Sequence, residues 1–364
     1  MKKTIQLLWF VASTIGIVSC NDAVKMNNRS EIVSSLKPKW ANGFEIQTLG
    51  DSTRRIILFN LEKANDTLQV IEWKPQNIER VACLSTTHIA MLQQLNMLST
   101  LKGVGFANLV QNKAAKAKIE NGEITNLTTS HDVDAEVVFS LNPQAFFVYP
   151  FGGTTYVRYE QKGLPVVQIS EYLETHPLGR AEWIRVFGAI MNQEQLAQKV
   201  FAEIESAYLH NTALVAKSIA KRPTVFTGFY DSGNWFAPPG NSFAAQLLKD
   251  AGADYIFADS LKTSNLIIPF ETMLTKAYLT DWWGKILHDE DEVTQENFAD
   301  EDERLMHLNS FKQQHLFYCN TAHSDYHGDA VLQPQLMLQD LITIFHPALL
   351  ANHTVIYFKP IKPN

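Results

Sequence analysis

The sequence predicts an α/β protein of two lobes, each built on a mainly parallel sheet, joined by a long helix and preceded by a short antiparallel segment. Three observations predict it. Short apolar strands alternate with helical stretches over residues 81–169 and again over 224–360, the order that yields parallel pairing with crossover helices. Between these halves, residues 178–217 keep apolar side chains at helical spacing without a proline. Ahead of both, residues 43–49, 54–60 and 67–73 are strand-like and are separated by turn signals at Gly50-Asp51 and Ala64-Asn65-Asp66.

Composition fits this class. The chain has 364 residues, 46% hydrophobic and 19% charged, with a formal net charge of -7. That is enough apolar material for more than one core. A net acidic chain argues against nucleic-acid binding, which draws its affinity from a basic footprint.

Residues 1–20 read as a secretory signal. Lys2 and Lys3 form a basic start, and the apolar stretch 7–18 is too short to span a bilayer comfortably. Its end, Ile17-Val18-Ser19-Cys20, resembles a bacterial lipobox, in which the cysteine becomes the lipidated first residue. Residues 21–39 are polar and without periodicity, and are expected to be a tether. Cys83 and Cys319 then remain, far apart in sequence, and two buried free thiols are expected.

The first lobe, 40–177, is expected to contain strands at 81–84, 102–105, 145–149 and 166–169, with helices at 88–95, near 114, at 134–140 and at 156–162. The connecting helix is expected over 178–217, with Asn192-Gln193 the one place where it could break into two. The second lobe, 218–364, is expected to have strands at 224–228, 254–257, 282–286, 315–319 and 354–360. Its expected helices lie at 242–250, 270–278, 332–345 and 346–351. Residues 289–303 hold nine acids in fifteen positions and are expected to form a solvated surface insertion. They lack the alternation and glycine of an EF-hand loop.

In open α/β sheets, ligands bind beyond the carboxyl ends of the strands. The segments that follow these strands are 85–88, 106–108, 150–154 and 170–172 in the first lobe, and 229–235 and 320–326 in the second. They are rich in hydroxyls and aromatic rings and poor in titratable pairs, which suits holding a large ligand more than acid–base catalysis. Thr86, Thr87, His88, Phe151, Tyr172, Tyr230, Trp235, His323 and Tyr326 are the candidate ligand contacts from this set. His88, at a helix start, has a packing role as its alternative. No GxSxG, GxxxxGK[ST] or strand-borne GxGxxG is present. The string His323-Ser324-Asp325-Tyr326-His327 offers His323, Asp325 and His327 as metal ligands for a hydrolase or oxidoreductase, an enzymatic alternative.

Several segments together resemble the class III substrate-binding proteins of ABC importers, the ferric-siderophore and cobalamin receptor type. They are Val81-Ala82-Cys83-Leu84-Ser85-Thr86-Thr87-His88, Leu101-Lys102-Gly103-Val104-Gly105, the run from Asp134 to Val148, Leu178-Gly179-Arg180-Ala181-Glu182-Trp183, Pro269-Phe270-Glu271, and the run from Pro334 to Pro347. Asn142 and Gln144 depart from the lysine and aspartate usual in the third of these. The resemblance implies two Rossmann-like lobes clamped by a rigid helix, with small closure. It also implies an ABC permease dimer as partner, docked through one glutamate per lobe, here Glu136 and Glu271.

The expected function is therefore that of a lipoprotein, monomeric and periplasmic, anchored to the membrane through Cys20. It would carry an iron chelate in the interlobe cleft without a resident cofactor and without catalysis. Arg180 is a candidate partner for an anionic chelate, and Tyr230 and Trp235 are candidates to stack on a ring. Cobalamin or haem is the alternative ligand.

Overall fold

The computed structural model describes residues 31–129, 132–151 and 155–362. The signal, Cys20 and most of the expected tether lie outside the described residues. The described part of that tether is not featureless. Strand β1 (Ile32–Leu36) pairs antiparallel with β2 (Phe44–Leu49), which continues to β3 (Arg54–Phe59) and β4 (Thr67–Trp73) in a four-stranded antiparallel sheet. Its inner face alternates as a half-buried sheet requires. Phe44, Ile46, Ile56 and Leu58 point inward and are buried, with polar or partly exposed neighbours between them. Ile32 and Val33 remain exposed on the edge strand, so β1 has no buried face to announce it in sequence.

The first lobe follows with β5 (Val81–Cys83), α1 (Thr86–Gln94), β6 (Leu101–Val104), α2 (Lys113–Glu120), β7 (Thr125–Asn126), α3 (Ala135–Leu141), β8 (Ala145–Val148), α4 (Val157–Glu160) and β9 (Val166–Gln168). All five strands are parallel, in the order β7-β6-β5-β8-β9. The chain winds outward from β5 in both directions. The topological switch point therefore lies between β5 and β8, where a crevice opens at the carboxyl ends.

The expected single helix over 178–217 is three: α5 (Pro177–Glu182), α6 (Ile184–Met191) and α7 (Glu194–Ser218). α5 and α6 are separated only by Trp183, which keeps right-handed helical angles, and the sharper break falls at Asn192, which takes a left-handed conformation (φ 55°, ψ 37°) as the cap of α6. Its Nδ2 donates to the Gln76 carbonyl at 2.9 Å. Asparagine tolerates that region better than other non-glycine residues. α7, with 25 residues, is about 38 Å long.

The second lobe contains β10 (Thr224–Thr227), β11 (Phe229–Asp231), β12 (Asn234–Ala237), α8 (Phe243–Asp250), β13 (Asp254–Tyr255), β14 (Leu266–Pro269), α9 (Phe270–Ala277), β15 (Trp282–Leu287), α10 (Asn309–Lys312), β16 (Leu316–Asn320), α11 (Pro334–Phe345) and β17 (Lys359–Pro360). Its main sheet has the order β13-β10-β15-β16-β17, parallel except for β17. Three expectations are corrected here. Residues 346–351 form turns rather than a helix, and the last strand is only Lys359–Pro360. Residues 229–235, expected as a cleft loop, form the β11–β12 hairpin, which joins β14 in a separate antiparallel sheet. The acidic stretch lies at the surface as expected, with most of its carboxylates exposed, and is anchored to the lobe at two points. Phe298 is buried edge-on to Trp283, and Glu301 pairs with Lys285 Nζ at 2.6 Å.

The lobes are not independent bodies on a rod. One continuous apolar core runs from Val81, Ile89 and Phe147 through Trp183, Phe187 and Phe201 to Leu338 and Leu341. Helix α11 packs against α7, α8 and α5, so the second lobe is seated on the connecting helices. Cys83 and Cys319 are both buried free thiols. Among the described residues no helix is long and apolar enough to cross a membrane.

Candidate functional site

A cavity of about 300 Å³ opens between the lobes. Its first-lobe wall comes from the switch point. Ser85, Thr86 and Thr87 follow β5, and Tyr149 and Phe151 follow β8. Glu171 and Tyr172 follow β9, and Arg180 projects from α5. The second-lobe wall is the loop after β16, with Tyr326, His327, Ala330 and Val331, joined by Phe243 of α8 and Met337 of α11.

Local structure explains why these side chains stand where they do. Ser85 is the N-cap of α1 and turns the chain at the end of β5, placing Thr86 and Thr87 in the first turn. The two lobes meet beside the cavity, where Thr86 Oγ1 donates to the His327 carbonyl and Asn112 Nδ2 reaches Asp329 at 3.4 Å.

Arg180 is the cation of the site. Nη2 donates to the Tyr172 carbonyl at 2.7 Å and Nε to the Glu174 carbonyl at 3.3 Å. The guanidinium lies over the Phe243 ring, 4.0 Å from its centroid. No carboxylate of the described residues comes within ion-pair distance, and Nη1 has no hydrogen-bond partner among them. Burial pulls its pKa down, while Tyr326, Glu171 and Glu174 push it back up. An arginine stays charged under such a balance.

Hydroxyls and one carboxylate surround it. Tyr172 Oη donates to the Pro150 carbonyl. Burial raises the phenols of Tyr149, Tyr172 and Tyr326, the last two to about 12, so they are neutral hydrogen-bonding groups at ordinary pH. Burial, followed by the nearby His288, lowers the His327 imidazole and keeps it neutral. Glu171 is buried, and burial raises its carboxyl against the lowering effect of Thr87 and Arg180.

The structure thus brings together Thr86, Thr87, Phe151, Tyr172, Arg180 and Tyr326 from the residues singled out in the sequence. Four others are elsewhere. His88 is fully buried between Phe147 and Phe187, because α1 turns that face into the core. Trp235 is buried against Phe226 and Trp283, with Nε1 donating to the Thr227 carbonyl at 3.2 Å. Tyr230 packs on Phe270. The hairpin that holds both follows directly on the carboxyl end of β10. His323 points away from the cavity, its Nε2 lying 3.2 Å from the Glu290 carbonyl.

The proposed metal string does not converge. His327 lines the cavity, His323 does not, and the Asp325 carboxylate packs close to Gly328. Among the described residues no group of three or more His, Cys, Asp or Glu side chains is placed to hold a metal ion. Sequence reasoning did not single out Tyr149, Glu171, Phe243, His327 or Met337 as ligand contacts. For Glu171 the signal was present, since residues 170–172 follow β9. Phe243 and Met337 lie on helices of the other lobe and carry no such signal.

Glu136 is exposed in the first turn of α3, whose N-cap Asp134 accepts from its backbone N–H at 3.0 Å. Glu271 occupies the first turn of α9, is exposed, and is met by Arg304.

The family model described as "Periplasmic binding protein" matches residues 81–321. An uncharacterized lipoprotein of Methanocaldococcus jannaschii is 27% identical over 297 residues, covering 79% of this chain and 69% of its own. A periplasmic heme-binding protein of Pseudomonas aeruginosa superposes with a TM-score of 0.58 at 15% identity, covering 74% of this chain and 94% of that one. A siderophore-binding protein, solved with two molecules of acinetobactin and ferric iron, superposes with a TM-score of 0.59 at 18% identity, covering 80% and 99%. With the family model spanning β5 to β16, about two thirds of the chain and the whole first-lobe wall of the cavity, this chain belongs to the periplasmic binding protein family.

Proposed function

We propose that this chain is the substrate-binding lipoprotein of an ABC importer, and that it captures a ferric siderophore or similar iron chelate between its lobes for delivery to the permease. The observation that carries the ligand class is Arg180. A half-buried guanidinium stacked on Phe243 and lining the cavity beside neutral phenols is a receptor for the anionic oxygens of a chelate. Among the structures of this fold are a siderophore-binding and a heme-binding protein, so both ligand types are compatible with it. Size and charge favour the chelate. The cavity lies at the low end of the roughly 300–1,000 Å³ typical of small-molecule sites. Its lining holds one cation, whereas a haem presents two propionates.

Arg180→Ala tests this reading. The expected result is at least a tenfold loss of affinity for a ferric catecholate chelate in a tryptophan-fluorescence titration, with the melting temperature little changed, since one charge-assisted contact is worth about 1.5–3 kcal/mol. Undiminished binding would remove Arg180 from the site. A visible-absorbance titration with haem and a corrinoid addresses the alternative ligands.

Delivery rests on Glu136 and Glu271, exposed carboxylates at helix starts on different lobes, suited to charge-assisted pairing with permease arginines, for which Glu271 would exchange its surface partner Arg304. Reversing both to lysine is expected to abolish uptake in cells while leaving chelate affinity within twofold. Unchanged uptake would refute the docking role. Lipid attachment at Cys20 would hold the protein at the membrane.

A further inference from the structure

Glu171 adds a second polar determinant to the cavity, and its hydrogen bonding is only half complete. The residue lines the cavity and is 2% exposed. Oε1 accepts from Thr87 Oγ1 at 2.5 Å. Thr87 has a single hydroxyl proton, so the 2.7 Å contact between Ser85 Oγ and Thr87 Oγ1 must run from Ser85 to Thr87. Ser85 Oγ in turn accepts from the Thr87 backbone N–H at 3.3 Å. This relay is directional and fixes the carboxylate orientation. Oε2, by contrast, is buried with no hydrogen-bond partner among the described residues. Arg180 and the backbone N–H groups of Glu171 and Tyr172 are near enough to act on the carboxyl, but none makes a hydrogen bond or ion pair to Oε2. A buried carboxylate oxygen without a donor is costly, and native proteins complete such groups.

We propose that Glu171 Oε2 receives an N–H or O–H donor of the ligand, so that the cargo carries a hydrogen-bond donor for Glu171 as well as anionic oxygens for Arg180. This rests on the chelate reading of the cavity and narrows it. Wholly anionic chelates without a donor leave Oε2 unpaired and are selected against. Chelates whose metal-binding arms are joined through amide or amine N–H groups complete it. Glu171 is thus a specificity determinant, on the same cavity wall as the arginine that supplies charge recognition.

Two ferric bis-catecholates of equal charge test this, one with amide N–H linkers and one with the same amides N-methylated. Both are titrated by tryptophan-fluorescence quenching against the wild type and Glu171→Gln. The glutamine keeps the shape, still accepts from Thr87, and presents an NH₂ donor where Oε2 stood. The expected result is about tenfold tighter wild-type binding of the N–H chelate than of its N-methyl partner, and loss of that preference in the variant. The N–H chelate should bind the variant about tenfold more weakly. Equal wild-type affinity for the two chelates overturns the inference without using a variant and leaves the chelate reading standing. Retained or tighter binding of the N–H chelate by Glu171→Gln also overturns it, because the ligand would then present an acceptor. Binding of neither chelate by the wild type overturns the chelate reading and this inference together.

Discussion

Buried polar side chains divide into those that tie the fold together and those left open to the cavity. Glu182 accepts from the backbone N–H groups of Lys39, Trp40 and Ala41 at 2.8–3.0 Å. Glu174 accepts from those of Asn42 and Gly43 and from Trp183 Nε1. Together they fasten the antiparallel sheet to α5. Asp340 does the same at the other end, accepting from Ile356, Tyr357 and Phe358 and meeting His353 Nε2 at 2.6 Å. His88 is different. Neither ring nitrogen makes a well-formed hydrogen bond among the described residues, and burial pushes its pKa down to about 3 against a weaker opposing effect of the Phe147 backbone. The unfolded chain therefore binds a proton between pH 6.5 and about 3 that the folded chain refuses, and stability falls as pH falls through that window. The expected outcome for His88→Leu is unchanged or higher stability at pH 7. Urea midpoints measured from pH 7 to 4.5 should show a shallower acid decline, by up to about 1.4 kcal/mol per pH unit. A variant that tracks the wild type across that range would contradict the buried, neutral imidazole. Sequence left His88 open between cleft and core, because position at a helix start does not say which way the helix faces. The apolar run Ile89-Ala90-Met91-Leu92 that follows shows only that α1 is deeply buried.

Elements were most legible where periodicity and turn chemistry agreed. Strands β2 to β4 fall almost residue for residue where alternation and the Asn-Asp and Gly-Asp turns put them. The connecting segment misled because its apolar spacing survives the break, while the left-handed residue at Asn192 is a property of one backbone position. That position makes a sharp comparison. Asn192→Gly and Asn192→Ala both lose the contact to Gln76, but only alanine meets the steric cost of the left-handed region. The alanine variant should be less stable than the glycine variant by about 1 kcal/mol in urea unfolding. Equal stability would mean that the cap does not set the break. The β11–β12 hairpin shows another limit. Residues 229–235 carry Asp, Ser, Gly and Asn, which suit a binding loop and a tight turn alike. The burial of Trp235 over β10 and β15 decides for the turn, a long-range contact that no local pattern displays.

The whole molecule sets Arg180 and Glu171 on one wall of the cleft and Tyr326 on the other, and ties the two walls together beside it. The shared core through α5 to α7 and α11, with the contacts of Thr86 and Asn112 to the loop after β16, opposes a wide hinge. The expected consequence is small closure around a preformed site, with little chain ordering to offset binding. The central claim is that this cleft holds one anionic iron chelate and passes it on chemically unaltered. Native mass spectrometry of the purified protein, incubated with a mixed panel of ferric chelates, haem and corrinoids, tests it most directly. The expected spectrum shows one intact ferric chelate per chain, and Arg180→Ala loses that adduct. A bound tetrapyrrole instead, no adduct at all, or a guest of altered mass would contradict it.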